Sequence, residues 1–318
     1  MLTVYRRGET GLEAAGDPAE ALRDGSAVWA DLLHPSEAEE HLVEGALNID
    51  APTEAERAML EQSARFYEEN GALVLTATLV ARHAEHAEAA GVSFILARNA
   101  LVTVRTIEPS AFRVGQGRAS ARIDGAHDGG EVLIALLEGV IERLADVLQE
   151  CRARAQKLSE QIFGPARFGA ADMRPALTEL SRLGAIIAMA RESLGTLERL
   201  FAYAGHVCAA YGLPGERLIA LTRDAQHLER TGDALQDHVI FLLDAALGLV
   251  AANQNVAIQR LTAAATIFVP STLIASIFGM NFEAMSWFKA PWGPWLAFAL
   301  MGAASLAVLA FARWRKWF

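Results

Sequence analysis

Apolar positions along the chain change their period as the sequence is read from its amino terminus. Residues 28–32 and 73–80 are short apolar runs of the kind that form buried strands, and 92–106 is a longer one broken by Arg98 and Asn99, which predicts a hairpin. Pro35, Ser36 and Glu37 open a helix with acids in its first turn, where they favour the helix dipole. Asp50, Ala51, Pro52 and Thr53 open a second helix, expected to run through Tyr67. Residues 115–130 are glycine-rich and polar, the expected subdomain boundary. Beyond them the period becomes helical: Leu133, Leu136, Leu137, Val140, Ile141, Leu144 and Leu148 recur at helical spacing, 176–209 repeats the behaviour, and Gly212, Leu213 and Pro214 stop it. From 215 to 278 the only proline is Pro270; if continuous, this helix would be on the order of 95 Å long at 1.5 Å per residue.

No charged side chain occurs at 261–282 or at 290–312. Each run is long enough to cross a hydrocarbon core of about 30 Å as a helix of about 20 residues. A membrane hairpin is therefore expected at the carboxyl end, with Trp287, Trp292 and Trp295 as an interfacial aromatic belt. Pro270, inside the first span, removes the hydrogen bond to the Thr266 carbonyl; a kink is expected, with the Thr262 or Thr266 hydroxyl free to satisfy the backbone. The 283–289 loop holds one charge of each sign, whereas Arg313, Arg315 and Lys316 crowd the end of the second span. Both termini are thus expected in the cytoplasm, at the plasma (inner) membrane, with 281–293 outside. Arg6, Arg7 and Glu9 interrupt the place where a secretory signal needs an apolar core.

Formal net charge is −10 over 318 residues, which disfavours a nucleic-acid partner because phosphate recognition needs a basic face. Hydrophobic residues make up 53% of the chain, but the surplus lies after 261, so an acidic soluble part carries a membrane anchor. Cys151 and Cys208 are too far apart for a Cys-x-x-Cys site. His83 with His86, and His227 with His238, lack a third metal ligand at a recognisable spacing and read as solvated. No nucleophile elbow or phosphate loop occurs, so nothing supports an enzyme or a bound cofactor.

Asp233, Asp237, Asp244 and Asn255 lie near one face of the long helix, continued by Ile258, Leu261 or Thr262, Ala265, Val269, Thr272, Ser276 and Gly279. The stripe passes from acidic to apolar to polar. In a symmetric ring of such helices it would line an axial pore: acids concentrate cations, apolar rings gate by dewetting, and polar groups stand near the mouth. The simpler reading, weighed below the pore, is that the acids are a solvated face and that Ile258, Leu261 and Val269 are lipid or packing contacts. Gly279 and Asn281 are equally a helix terminus.

Asn253, Gln254 and Asn255, the Pro-Ser-Thr-Leu-Ile-Ala-Ser run at 270–276, and Phe-Gly-Met-Asn-Phe at 278–282 resemble the CorA family of magnesium channels, also called the two-transmembrane-GMN family. The resemblance is dense over the last third and looser in the acidic part. It implies a funnel-like homopentamer, a pore lined by the first span with the second outside it, and influx of Mg²⁺ with Co²⁺ or Ni²⁺ as further ions. Zn²⁺ transport on the same scaffold is the alternative, and a non-conducting, membrane-anchored regulatory protein is the alternative of another class. Gly279, Met280, Asn281 and Glu283 would form the mouth. Mg²⁺ surrenders water reluctantly, so Asn281 would meet the hydrated ion through coordinated water. In many relatives a Met-Pro-Glu run follows; here Met285, Ser286 and Trp287 stand in its place.

The expected architecture is an α/β cytosolic domain at 1–128 and a helical hairpin at 129–213. A stalk helix at 214–281 contains the first span, about 259–280, and an external loop at 282–293 leads to the second span at 294–312 and a basic tail at 313–318. Its partners are copies of itself, divalent cations and the bilayer.

Overall fold

The computed structural model describes residues 1–8, 11–59, 65–82, 87–121, 128–164, 173–280 and 291–315. Two compact units divide the chain: Met1–Arg167 with Pro175–Leu243, and Phe168–Arg174 with Asp244–Phe318.

Seven strands form one sheet in the first unit: β1 (Leu2–Arg7), β2 (Leu12–Ala14), β3 (Ala27–Leu33), β4 (Phe66–Glu69), β5 (Ala72–Arg82), β6 (Ala87–Ala97) and β7 (Ala100–Arg105). Their order is β2-β1-β3-β7-β6-β5-β4, antiparallel except where β3 runs parallel to β7. The expected strands at 28–32 and 73–80 and the hairpin at Arg98 and Asn99 are present; Arg98 takes the turn at φ 52°. The second expected helix is corrected. Thr53 and Glu56 do form a reciprocal cap, but the helix they start, α3 (Glu54–Arg57), is one turn, and Tyr67 lies in β4. Phe66 stacks on Tyr203, 5.9 Å between centroids, a contact across the chain that local propensity does not encode.

One face of the sheet is closed by α1 (Pro18–Arg23) and α2 (Glu37–Leu47), whose Ala21, Leu22, Val43 and Leu47 join Val4, Ala30, Leu32, Val102 and Val104 in a common core. In α2 the Glu39 carboxylate accepts from the Ser36 amide at 2.9 Å and from the Leu2 amide at 2.8 Å. Those donors, with the Met1 amino group, hold its pKa down at about 2.

The other face meets α4 (Ser110–Ala121) and α5 (Gly129–Phe163). At the parallel pairing, buried Asp31 receives two hydrogen bonds from Arg105, at 3.0 and 2.8 Å, and one from the Thr103 hydroxyl at 2.7 Å. Trp29 donates to Thr103 at 3.0 Å, and the Arg105 guanidinium lies 4.8 Å from the Phe112 ring centre. A buried ion pair is tolerated only when its polar atoms are satisfied in this way.

The stretch expected as a boundary is partly helical, because Gly115 and Gly117 belong to α4. A Cβ on Gly115 would stand 2.8 Å from the Leu136 backbone, and one on Gly139 would stand 2.9 Å from the Ala111 carbonyl. These glycines let α4 and α5 approach.

Three long helices complete the chain's helical part: α5, α6 (Met173–Val207) and α7 (Gly215–Phe278), followed by α8 (Gly293–Trp314). Arg154 joins α5 to Glu179 of α6 at 3.3 Å, and Arg217 of α7 reaches Glu131 and Glu138 of α5, each at 2.7 Å. The Thr196 hydroxyl accepts from the Thr78 amide at 3.0 Å, tying α6 to β5. Helix α7 runs through Pro270, with the proline inside it.

Candidate functional site

Helix α7 carries every predicted pathway residue from Asp233 to Ser276, in both units. In the first unit its buried face is Leu235, Val239 and Leu242; Asp237 is exposed roughly 180° around a helix of 3.6 residues per turn. Asp233 is engaged: its carboxylate pairs with Arg191 of α6, so it is held within its own chain. Nearby, partial burial first, and then Glu198 and Asp233, push the Glu229 carboxyl above its ordinary range.

In the second unit Asp244 and Asn255 are exposed, as are Ile258 (59%), Leu261 (72%) and Val269 (63%). Ala265, Thr272, Ser276 and Gly279 are exposed as well. The face of α7 that meets α8 is different: Ile267 and Ser271 bond to α8, and Ala263, Thr266, Pro270, Ile274 and Phe278 around them are partly covered. On a helical wheel the midlines of the two faces lie about 170° apart. The neighbouring span therefore leaves the predicted stripe uncovered. Bulky Phe268 and Leu273 flank that stripe, while Ala265, Thr272 and Ser276 are small or hydroxylic positions within it.

The α7 and α8 spans are joined by hydroxyls that sequence reasoning missed. Ser271 and Ser305 lie 2.7 Å apart; Ser305 also donates to the Ile267 carbonyl and Ser271 to the Met301 carbonyl, each at 3.3 Å. Gly293, Ala297 and Ala312 are the buried positions of α8. Gly293, Ala297 and Ser305, spaced by four and eight residues in an apolar run, were the available signal for this seam. Around Pro270 the expected hydroxyl compensation is corrected: the Thr266 hydroxyl donates to the Thr262 carbonyl at 2.7 Å and does not serve the carbonyl that the proline frees. The Thr272 hydroxyl likewise donates to the Phe268 carbonyl, at 3.0 Å, which leaves its oxygen outward as an acceptor.

Gly279 and Met280 are exposed just past the end of α7, where the Gly279 amide donates to the Ala275 carbonyl at 2.9 Å. Asn281 and Glu283 lie outside the described residues, as do His83, His86, Ser286, Trp287 and Lys316. Trp292 and Trp295 are 55% and 75% exposed at the start of α8. Among the described residues no group of three or more His, Cys, Asp or Glu is arranged to hold a metal ion. Both α7 and α8 contain a stretch long and apolar enough to cross a membrane.

Residues 24–315 match the family described as "CorA-like Mg2+ transporter protein". The chain is 30% identical over 293 residues to the magnesium transport protein CorA of Pasteurella multocida, covering 92% of each chain. It is 32% identical over 294 residues to that of Salmonella typhimurium and 31% over 295 to that of Escherichia coli, again with 92% coverage of each chain. Among solved structures, the complete CorA magnesium transporter of Methanocaldococcus jannaschii superposes over 100% of this chain and 99% of its own at a TM-score of 0.76, with 16% identity. The full-length CmaX protein does so over 100% and 98%, at 0.72 and 14% identity. Those two likenesses establish the fold: an α/β domain, a long helix and two apolar helices. The family consists of transporters, in keeping with the lack of enzyme motifs in the sequence. On the match through residues 24–315 and the relatives aligned over nearly their whole length, the chain belongs to the CorA-like Mg2+ transporter family.

Proposed function

We propose that the chain conducts Mg²⁺ passively into the cytoplasm along an axial path enclosed by a ring of copies, five in number. The observation that carries this reading is the uncovered stripe of α7, opposite the α8 contact, with its small and hydroxylic positions at Ala265, Thr272 and Ser276. An exposed apolar face of this extent calls for lipid or another copy. Lipid accounts for Phe268 and Leu273, but gives no reason for the change from Asp237 and Asp244 through Ile258, Leu261 and Val269 to the hydroxyls. Two spans of one chain cannot enclose an aqueous path, so the ring follows from conduction itself. Naming of the aligned relatives as magnesium transport proteins supports the ion.

In this reading Asp237, Asp244 and Asn255 raise the local cation concentration, and Ile258, Leu261, Ala265 and Val269 form a dry constriction. The oxygens of Thr272 and Ser276 accept hydrogen bonds from water on the ion. Gly279, Met280, Asn281 and Glu283 make the outer mouth, where the Asn281 amide meets the hydrated ion. Both termini are cytoplasmic, in the inner membrane. Membrane potential then contributes about 4.6 kcal/mol per divalent ion per 100 mV. Co²⁺ and Ni²⁺, also divalent and hydrated, share the path.

The test is uptake by purified protein in liposomes under an imposed potential, with an internal Mg²⁺ dye and competing Zn²⁺, Co²⁺ and Ni²⁺. Saturable Mg²⁺ entry, inhibited by Co²⁺ and Ni²⁺, is expected. Zn²⁺ entry with Mg²⁺ excluded would favour the zinc alternative, and no flux from an assembled oligomer would favour the regulatory one.

A further inference from the structure

Between α5 and α7 runs a groove with two cavities, and charge is sorted between them. The first, of about 500 Å³, holds Arg118, Glu138, Glu142, Arg217 and Asp224, and its arginines are paired with Glu142, Glu131 and Glu138. The second, of about 600 Å³, shares His227 with the first and adds Arg152 and Gln156 from α5 with Arg230, Thr231 and His238 from α7. No carboxylate lines it. Among the described residues neither the Arg152 nor the Arg230 guanidinium has an ion-pair partner. Two permanent cations and two imidazoles thus face one concavity in a chain whose formal charge is −10.

Like charges gathered without a counter-ion repel one another, and each exposed arginine could instead have turned toward one of the many carboxylates of this chain. His227 and His238 are eleven residues apart, which on a helix returns to the same face; this explains their spacing without a metal. A metal cation would be repelled by the two guanidinium groups. The cavity suits the opposite ligand: arginine forks bind phosphate oxygens bidentately, and the imidazoles and the second N–H of the Gln156 amide, whose first donates to Glu160 at 3.3 Å, add shorter-range donors. The Thr231 hydroxyl donates to the His227 carbonyl at 2.9 Å, so recognition falls to the two guanidinium groups, the imidazoles and Gln156. The volume lies in the range of small-molecule sites and exceeds what one phosphate needs.

We propose that this cavity is a binding site for a free polyphosphate anion, a linear chain of two or three phosphates. The site's existence does not depend on the transport reading, because binding is measured without flux.

The experiment is calorimetric titration of the full-length, detergent-purified oligomer with inorganic tripolyphosphate in metal-free buffer, with orthophosphate as the low-charge comparison. Saturable binding is expected, at least tenfold tighter for tripolyphosphate and weakening as salt is raised. The double variant R152E/R230E should weaken it at least tenfold while the oligomer elutes unchanged; R152K/R230K should keep it within about threefold of the parent. Should the charge reversal disturb assembly, R152Q/R230Q serves in its place. No saturable heat up to millimolar tripolyphosphate, or unchanged affinity in the assembled variant, would overturn the proposal. Repeating the titration in phosphatidylcholine and phosphatidylglycerol nanodiscs separates the phosphate sources. Equal binding in both supports a free anion, and loss in phosphatidylglycerol alone would assign the site to lipid headgroups and overturn it.

Discussion

At the residue scale, the interior of the α/β unit turns on one charged contact. Asp31 is 7% exposed and Arg105 9%, and the carboxylate takes three hydrogen bonds where β3 meets β7. Removing the acid leaves a buried guanidinium with only the Ile107 carbonyl and the Phe112 ring, so Asp31→Ala should cost about 3–5 kcal/mol. Thermal unfolding of the detergent-purified protein reads this as a large drop in midpoint; a loss under about 1 kcal/mol would mean the pair is replaceable. None of this was legible in sequence, because Asp31 and Arg105 are 74 residues apart and a lone aspartate in an apolar run gives no partner. Asp233 is a second case. Its spacing placed it with the axial acids, but Arg191 on another helix takes its carboxylate.

At the scale of elements, periodicity was the strongest guide. It predicted α7 from 215 to 278 with Pro270 inside, and the structure has Gly215–Phe278. A long helix is legible because its signal repeats every turn. Short elements fared worse: β1 and β2 are partly exposed and carry no continuous apolar run, and β4 was taken into a helix by a genuine cap at Thr53. The residues of the α7 stripe were legible as a face, but which face α8 covers was not, since both spans are apolar throughout. If Asp237 and Asp244 attract cations, changing both to Asn should lower Mg²⁺ uptake several-fold at low ionic strength and less at high, with the oligomer intact. Equal uptake across ionic strengths would return them to a solvated surface. Between the spans, a double-mutant cycle on Ser271→Ala and Ser305→Ala should give a coupling of about 0.6 kcal/mol, and at most about 1.7 kcal/mol. Additive effects would show that the hydroxyls act separately.

At the scale of the whole molecule, topology and ion choice came from different kinds of information. Arg313, Arg315 and Lys316 beyond the second apolar run predict the orientation, whereas Gly279, Met280 and Asn281 carried the resemblance that the family match then established. A cysteine placed at Ser286 should react with an impermeant thiol reagent added outside, and one at Ala14 should react only after permeabilisation. The reverse pattern would contradict two spans with cytoplasmic termini. A ring of copies was legible only as what conduction requires and the resemblance implies; the residues do not mark the contact itself, because a face that meets other copies has the same apolar character as one that meets lipid.

If hydrated Mg²⁺ enters through a mouth at Asn281, the most direct measurement is potential-driven Mg²⁺ uptake into liposomes by the parent and by Asn281→Ala, each verified as an assembled oligomer. Mg²⁺ gives up its coordinated water reluctantly, so an Asn281 amide bonding to that water would have no substitute in the Ala variant. Loss of at least ten-fold in uptake, with thermal stability little changed, is the predicted result. Uptake by Asn281→Ala equal to that of the parent would contradict the account and leave the tripeptide as a turn.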